Sequence, residues 1–280
     1  MGRYEVLALD LDGTLLNDDG RVSARTARAI QQVADTGAIV ALCSGRSTAC
    51  MTHVEDQLGV DVHMVSYNGA LGLTRRADGR KPLFRRPVPR HHIETLVQFA
   101  DDNGLVLNYY DEHQIHVKPT TAEHDELIER YRKQCSAVFN VVDDYARVSH
   151  VVPCKIVALT HQTAAVTKQL EDLFAGQMQV IRGEYFVECL APGVHKGAGL
   201  QGLCEHWQIP RERVVAFGDG LNDIEYLQYA GLGIAMANAY PETKSAASRV
   251  TLYDNVNDGV AHELEGMLEK GLFGPTTTFP

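Results

Sequence analysis

The sequence predicts an α/β protein, a doubly wound parallel sheet interrupted by an inserted α+β module. Three observations predict it. Short apolar runs, "VLAL", "AIVALC" and "VHMVS", alternate with helical patterns over residues 1–82, and nearly unbroken apolar strands suit a parallel sheet covered on both faces. The segment 83–190 breaks that alternation, with strands that follow one another directly, as in an antiparallel layer. From about 191 the strand–helix alternation returns. A core split by an insertion accounts for all three.

The elements follow in order. Residues 5–9 form the first strand. A helix over 23–36 has Ser23 as its N-cap and stops at Gly37. Its apolar positions Ala27, Ile30, Val33 and Ala34 share one face. A strand at 38–42, a helix over 47–58 and a strand at 62–66 complete the first part. The insertion has a helix over 91–102, then "LVLNYYD" and "QIHVKP" as adjacent strands, and a helix in "TAEHDELIERYRKQ". It continues with the strand "CKIVALT", a helix over 163–174, and the paired strands "MQVIRGE" and "YFVECL". The last part reads helix 197–207, strand "RVVAF", helix 222–230, then "GLGIAM" and "RVTLY". Arg80 to Pro87 and Ala191-Pro192-Gly193 are the expected hinges, and the tail "GLFGPTTTFP" is expected to be loosely ordered.

Composition narrows the function. At 45% apolar and 22% charged residues the chain can build an ordinary core. A net charge of −10 argues against a broad basic surface for nucleic acid or anionic lipid. An acidic protein that binds phosphate needs a local cation, either a metal ion or a placed lysine. The cysteines at 43, 50, 135, 154, 189 and 204 have no C-x-x-C spacing and read as buried thiols rather than a zinc site. There is no basic-then-apolar leader, no apolar run near ~18 residues and no N-x-[ST] acceptor, a pattern that fits the cytoplasm. Oligomeric state is not legible.

The chemistry collects where strands end. "VLAL" ends at Asp10, with Asp12 two residues on. "IVALC" ends at Ser44-Gly45-Arg46, and "VHMVS" runs into Asn68-Gly69. "RVVAF" runs into Gly218-Asp219-Gly220, with Asn222 and Asp223 just beyond. In open parallel sheets the ligand crevice lies at the carboxyl ends of the strands, so these residues should meet. Carboxylates packed together raise one another's pKa unless a cation joins them, and an oxygen-only set points to Mg²⁺ rather than zinc. One acid can then attack as a nucleophile while the other moves protons. Gly13 and Gly45 allow backbone N–H groups near phosphate oxygens. Ser44 can donate a hydroxyl, and Lys196 can supply a fixed positive charge.

Simpler readings compete at several places. D-x-D-G could open a calcium loop, but Leu15 stands where an EF-hand requires Gly. "GAGLQG" at 197–202 matches G-x-G-x-x-G, yet its glycines fall inside a helical pattern and not directly after a strand. Ser44 could cap the following helix as well as hold phosphate. In the insertion, Tyr109, Tyr110, His116 and Lys155 are tempting, with Lys155 at a strand start that could overlook the crevice. Alternation lets only one of Tyr109 and Tyr110 face a given side. Ordinary packing accounts equally well for each.

D-x-D-G-T-L at 10–15, Ser44, Lys196 and G-D-x-x-N-D at 218–223 resemble the four motifs of the haloacid-dehalogenase-like (HAD) phosphatases. "SYNGA" at 66–70, the insertion, and "AGLGIAMANA" at 230–239 are similar to the Cof-type, type IIB-cap sugar-phosphatase branch. The resemblance runs over nearly the whole chain in motif order. It implies a catalytic core at 1–82 and 191–280 with a substrate-selecting cap at 83–190. It implies Asp10 as nucleophile and Asp12 as general acid/base. Asp10, the backbone carbonyl of Asp12, and Asp219 would bind Mg²⁺, with Asp223 supporting. Ser44 and Lys196 would hold the phosphoryl group, with Asn222 beside it. From their positions on the strands, Gly45, Arg46, Asn68 and Lys155 are further candidate substrate contacts. The expected function is a Mg²⁺-dependent phosphatase of a small phosphorylated metabolite, most plausibly a sugar phosphate, working through a phosphoaspartate. A phosphomutase or phosphotransferase on the same scaffold, and a silent regulatory binding protein, stand as alternatives.

Overall fold

The computed structural model describes residues 3–111, 114–134 and 137–275. They divide into two compact units, one running up to Phe84 and resuming at His195, the other Arg85–Val194.

The first unit opens with β1 (Val6–Leu9), α1 (Ala24–Asp35), β2 (Ile39–Cys43), α2 (Thr52–Leu58) and β3 (His63–Ser66), followed by β4 (Leu71–Leu73) and β5 (Pro82–Arg85). The second contains α3 (Arg90–Asp102), β6 (Val106–Tyr110), β7 (Gln114–Val117), α4 (Ala122–Gln134), β8 (Val138–Val141), β9 (Lys155–Leu159), α5 (Thr163–Phe174), β10 (Gln179–Arg182) and β11 (Phe186–Leu190). The first unit then resumes with α6 (Lys196–Trp207), β12 (Val214–Gly218), α7 (Ile224–Tyr229), β13 (Leu232–Ala235), α8 (Pro241–Ala246), β14 (Arg249–Val250) and α9 (Gly259–Glu269).

The first unit's sheet has the order β14-β13-β12-β1-β2-β3-β4-β5. It is parallel from β14 to β3, and β4 turns back antiparallel. Every residue of β1, β2, β3 and β12 is buried. Successive strand residues point to opposite faces, so both faces are covered, as the unbroken apolar runs require. Burying each Leu, Val or Phe fully is worth about 1.5–3 kcal/mol. The predicted cap of α1 is present: the Ser23 side chain accepts from the Thr26 N–H at 3.0 Å. Ala27, Ile30 and Val33 are buried on the face the 3.6-residue period selects.

Several expectations are corrected. The helix expected at 47–58 begins as a tight 3₁₀ turn, Thr48–Cys50, with Cys50 N–H bonded to Ser47 O and Met51 N–H to Thr48 O. The helix expected at 222–230 likewise starts with a 3₁₀ turn, Leu221–Asp223. Strands β4, β5 and β8 have no counterpart in the sequence pattern, since three or four residues interrupted by Gly72 or led by Pro82 carry little period.

The second unit's sheet runs β10-β11-β9-β6-β7-β8. It is antiparallel except for the parallel pair β7/β8. Leu107, Tyr109, Ile156, Ala158, Val187 and Cys189 on one face of it share an apolar cluster with Ile93 and Leu96 of α3 and Val166 and Leu170 of α5. Part of the C-terminal segment is packed rather than loose. Phe273 is buried and bridges to Tyr4, and Gly274 N–H donates to Tyr4 O. Residues 276–280 lie outside the described residues. Cys43, Cys50, Cys154, Cys189 and Cys204 are buried, and Cys135 lies outside the described residues. Among the described residues no helix is long and apolar enough to cross a membrane.

Candidate active site

The strand ends converge within the first unit. Leu9 lies in register between Leu42 and Phe217, so Asp10, Cys43 and Gly218 follow side by side at the carboxyl edge. Asp10 N–H donates to Phe217 O at 3.0 Å, which extends the ladder one residue and leaves the carboxylate at its end. Asp10 and Ser44 are both buried.

Lys196 enters from the other side as the first residue of α6. Its position depends on three glycines. A Cβ on Gly69 (φ +101°) would sit 2.3 Å from His195 O, and one on Gly199 would sit 2.6 Å from Gly69 Cα. A Cβ on Gly197 would sit 2.6 Å from Glu225 O. These contacts are shorter than real Cβ atoms tolerate, so only glycine lets the start of α6 press onto the loop after β3 and onto α7. The G-x-G-x-x-G match is therefore a helix-packing feature inside α6.

The charges form one buried set. Lys196 Nζ donates to Asp10 Oδ1 at 2.5 Å and to Asp223 Oδ1 at 2.7 Å, and its side chain is 2% exposed. The second oxygen of Asp223 accepts from the N–H groups of Asp219 (3.0 Å) and Gly220 (2.9 Å). Asp219 accepts from Thr14 Oγ1 at 2.8 Å. Gly13 makes this possible, since with φ +75° a Cβ there would lie 2.2 Å from Asp219 Oδ2. Burial, and then the neighbouring Asp223 carboxylate, push Asp10 well above the usual carboxylate range against the pull of Lys196. Burial also pushes Asp219 up to about 6, against the Thr14 hydrogen bond. Burial disfavours the Lys196 ammonium, yet Asp10 and Asp223 hold its pKa above the ordinary lysine value. Oxygens of Asp10, Asp219 and Asp223 lie within 4.8 Å of one another. One lysine among three carboxylates leaves negative charge over, which is what a divalent cation would neutralise. An all-oxygen donor set fits Mg²⁺.

Asp12 stands apart from this set. Its side chain is 60% exposed and is gripped by Arg46, with Nε to Oδ2 at 2.8 Å and Nη2 to Oδ1 at 2.5 Å. The sequence pattern places Arg46 on phosphate; here it forms a two-pronged pair with the second acid. The Ser44 hydroxyl accepts from Arg46 N–H at 3.1 Å. Ser44 does not cap a helix: Ser47 holds the N-cap position of the next turn. Asn68, in the left-handed region (φ 52°), donates its N–H to Ser44 O and accepts from Asn222 Nδ2 at 3.0 Å. A Cβ on Gly45 would lie 3.0 Å from Asn68 Oδ1. Ser44, Gly45, Asn68 and Asn222 are thus brought together in one polar rim.

The four residues singled out in the insertion are engaged within the second unit. Tyr109 is buried and donates to Val151 O at 2.6 Å. Tyr110 points to the opposite face, where its hydroxyl meets that of Tyr131 at 2.7 Å. His116 lies between Asp111 (2.7 Å) and Asn140 (3.0 Å). Lys155 is buried and paired, not presented at an open strand start: Nζ donates to the buried Glu188 at 2.7 Å and lies 5.3 Å from the Tyr110 ring centroid.

Some supporting residues escape a reading of the sequence. Thr14 positions Asp219. Thr243 Oγ1 donates to Gly220 O at 2.8 Å, and Asn238 Nδ2 to Gly13 O at 2.7 Å. Thr14 sits inside the D-x-D-G-T motif and could be found there. Thr243 and Asn238 have no local signal, because each acts across more than 20 residues of chain.

Comparison with known proteins agrees with this geometry. A family model for haloacid dehalogenase-like hydrolases matches residues 7–264. The 5-amino-6-(5-phospho-D-ribitylamino)uracil phosphatase YitU of Bacillus subtilis is 28% identical over 277 residues, covering 93% of this chain and 96% of that protein. An HMP-PP phosphatase of Yersinia pseudotuberculosis is 28% identical over 280 residues, covering 95% of this chain and 96% of that one. The crystal structure of a haloacid dehalogenase-like hydrolase from Bacteroides thetaiotaomicron shares the fold with a TM-score of 0.86 at 26% identity, covering 95% of this chain and 100% of the other. With the strand-end loops and Lys196 all inside the matched span, the chain belongs to the haloacid dehalogenase-like hydrolase family.

Proposed function

We propose that this hydrolase is a Mg²⁺-dependent phosphatase of small phosphorylated metabolites, with a sugar-like leaving group, acting through a phosphoaspartate on Asp10. The observation that carries this reading is the buried Asp10 carboxylate held 2.5 Å from Lys196 beside Asp219 and Asp223. Two relatives bear the names of phosphatases of small phosphorylated compounds, which supports the substrate class.

Asp10, Asp219 and Asp223, with the main-chain carbonyl of Asp12, are the residues that would hold Mg²⁺. When bound, the ion polarises the phosphoryl group and offsets its charge. The free oxygen of Asp10 attacks phosphorus, and the bond from phosphorus to the ester oxygen breaks. Asp12, as the carboxylic acid, gives its proton to the departing oxygen. Lys196 keeps Asp10 oriented and offsets charge on the transferring group. Ser44, with the Gly45 backbone, Asn68 and Asn222, supplies donors around the phosphoryl oxygens. Arg46 fixes the position of the Asp12 side chain through its guanidinium. Asp12, now a carboxylate, takes a proton from water as the water oxygen attacks phosphorus. The acyl-phosphate bond breaks, releasing inorganic phosphate and restoring Asp10. The Arg85–Val194 unit is read as the cap that selects the leaving group.

The test is phosphate release from a panel of phosphorylated metabolites with Mg²⁺ and with EDTA. Asp10→Asn should keep the fold and lose roughly 10³-fold or more in turnover. Asp12→Asn should still accept phosphate from a good leaving group but release it slowly. Near-normal release by Asp10→Asn, or full activity in EDTA, would sink the mechanism. Lys155→Met leaves the buried Glu188 carboxylate without its ammonium partner, so it should lower the urea midpoint and depress all substrates together; a changed ranking among metabolites with a small aryl phosphate spared would instead make Lys155 a recognition residue.

A further inference from the structure

We infer that Tyr226, on the first turn of α7, is a positioning residue for the Asp10–Lys196–Asp223 cluster and acts together with the buried thiol of Cys43. The inference rests on the phosphatase reading but concerns residues to which no role has been given.

Both side chains are fully buried. Cys43 ends β2 directly beside Asp10, because Leu42 and Leu9 are in register one residue earlier. In-register neighbours of a parallel pair point to the same face, so the thiol and the Asp10 carboxylate share a side. On the other flank of Asp10 stands Gly218, and a Cβ there would lie 2.6 Å from Asp223 Cγ. Asp223 thus fills the space a side chain would take. Lys196 Nζ bridges the two carboxylates. The start of α7 is pressed against the start of α6 at Glu225 and Gly197, and Tyr226 is the next residue.

The Tyr226 hydroxyl meets no partner in hydrogen-bonding geometry among the described residues. After burial itself, the groups that act on it are the Cys43 thiol and the Asp223 and Asp10 carboxylates. Seen from the thiol, the neighbours that act on it are Lys196, Tyr226, Asp10 and Cys204. At neutral pH a phenol and a thiol each carry their proton, so each presents a fixed dipole. A buried hydroxyl without a well-formed hydrogen bond is costly, and a phenylalanine would fill the same space without that cost. In a dry site a dipole beside unpaired charge interacts strongly. The hydroxyl acts on the carboxylate–ammonium cluster as a buried dipole rather than as a hydrogen-bond partner, with the Cys43 thiol beside Asp10 completing the polar surroundings.

The experiment is steady-state kinetics and urea unfolding of Tyr226→Phe, Cys43→Val, Cys43→Ser and the Tyr226→Phe/Cys43→Val double variant, on a metabolite phosphate and an aryl phosphate. For Tyr226→Phe, kcat should fall about tenfold on both substrates, equivalent to about 1.4 kcal/mol, with KM and half-saturating Mg²⁺ unchanged. Cys43→Val should lower kcat in the same way, whereas Cys43→Ser, which keeps a polar hydrogen, should retain activity. The double variant should be no worse than Tyr226→Phe, the non-additivity expected of a coupled pair. A readout independent of turnover is the stability cycle of Tyr226→Phe with Lys196→Met. The effect of removing the hydroxyl should differ between the wild-type background and the Lys196→Met background. A Tyr226→Phe variant that is more stable, with kcat unchanged and no coupling to Lys196, would overturn the inference and leave the hydroxyl as a packing cost. If wild type releases no phosphate, the phosphatase reading fails, and the stability cycle still decides whether Tyr226 is tied to the cluster.

Discussion

Replacing Lys196 by Met tests the buried charge set directly. Methionine approximates the length of the lysine stem and removes the ammonium. Two carboxylates then lose their common partner: Asp10, 4% exposed, and Asp223, fully buried. Asp223 keeps the Asp219 and Gly220 N–H donors, whereas Asp10 faces Asp223 and Asp219 without compensation. Removing one partner of a buried ion pair typically costs about 3–5 kcal/mol, because a buried charge is left unpaired. On the proposed mechanism the same loss removes fixed positive charge from the transferring phosphoryl group. A single electrostatic donor of that kind is worth about 10²–10³ in kcat. The assay is urea unfolding in EDTA at pH 8, followed by the fluorescence of Trp207. This is the only tryptophan of the chain, buried on the same helix as Lys196. The midpoint should drop by the equivalent of about 3–5 kcal/mol, and Mg²⁺ should restore part of it by pairing the uncompensated carboxylate charge. Phosphate release should fall on every substrate together. A variant with the wild-type urea midpoint in EDTA would refute the argument that Lys196 compensates both acids.

Two further outcomes are expected. Gly69→Ala would force φ +101° on a residue with a Cβ and place that Cβ 2.3 Å from His195 O. Strain of about 1–3 kcal/mol, with a lowered kcat as α6 is pushed back, should be read in parallel unfolding and turnover measurements; an unaltered variant would mean the helix start does not set the Lys196 position. His63 is buried, and burial followed by the nearby Arg75 lowers its pKa to about 4. The folded state therefore binds fewer protons than the unfolded chain between about pH 6.5 and 4, so stability should fall as pH falls through that window, by about 3 kcal/mol in all. Urea midpoints of His63→Gln across the same range should show a shallower slope, and an identical slope would clear His63 of the effect.

Much of this protein is legible in its sequence because the relevant signals are local. Unbroken apolar runs such as Val6–Leu9 and Val214–Gly218 mark strands buried on both faces, and strand ends mark the crevice. Asp10, Ser44 and Asp219 can thus be placed at one sheet edge from the chain alone. Ser23 and Gly37 bound α1 closely, since caps are local hydrogen-bond chemistry. Short strands such as Leu71–Leu73 and Val138–Val141 escape, because their pairing comes from neighbours elsewhere in the chain. The same limit applies inside the site. Sequence puts Arg46 near phosphate and Lys155 beside a crevice, while the structure pairs Arg46 with Asp12 and Lys155 with Glu188. Partner choice among charged side chains depends on distances of a few ångströms between loops that sequence spacing does not encode. Only the tertiary structure brought the buried Tyr226 and Cys43 close to the carboxylate cluster. A buried hydroxyl leaves no pattern in the chain, and its environment exists only once α6, α7 and the ends of β1 and β2 have packed.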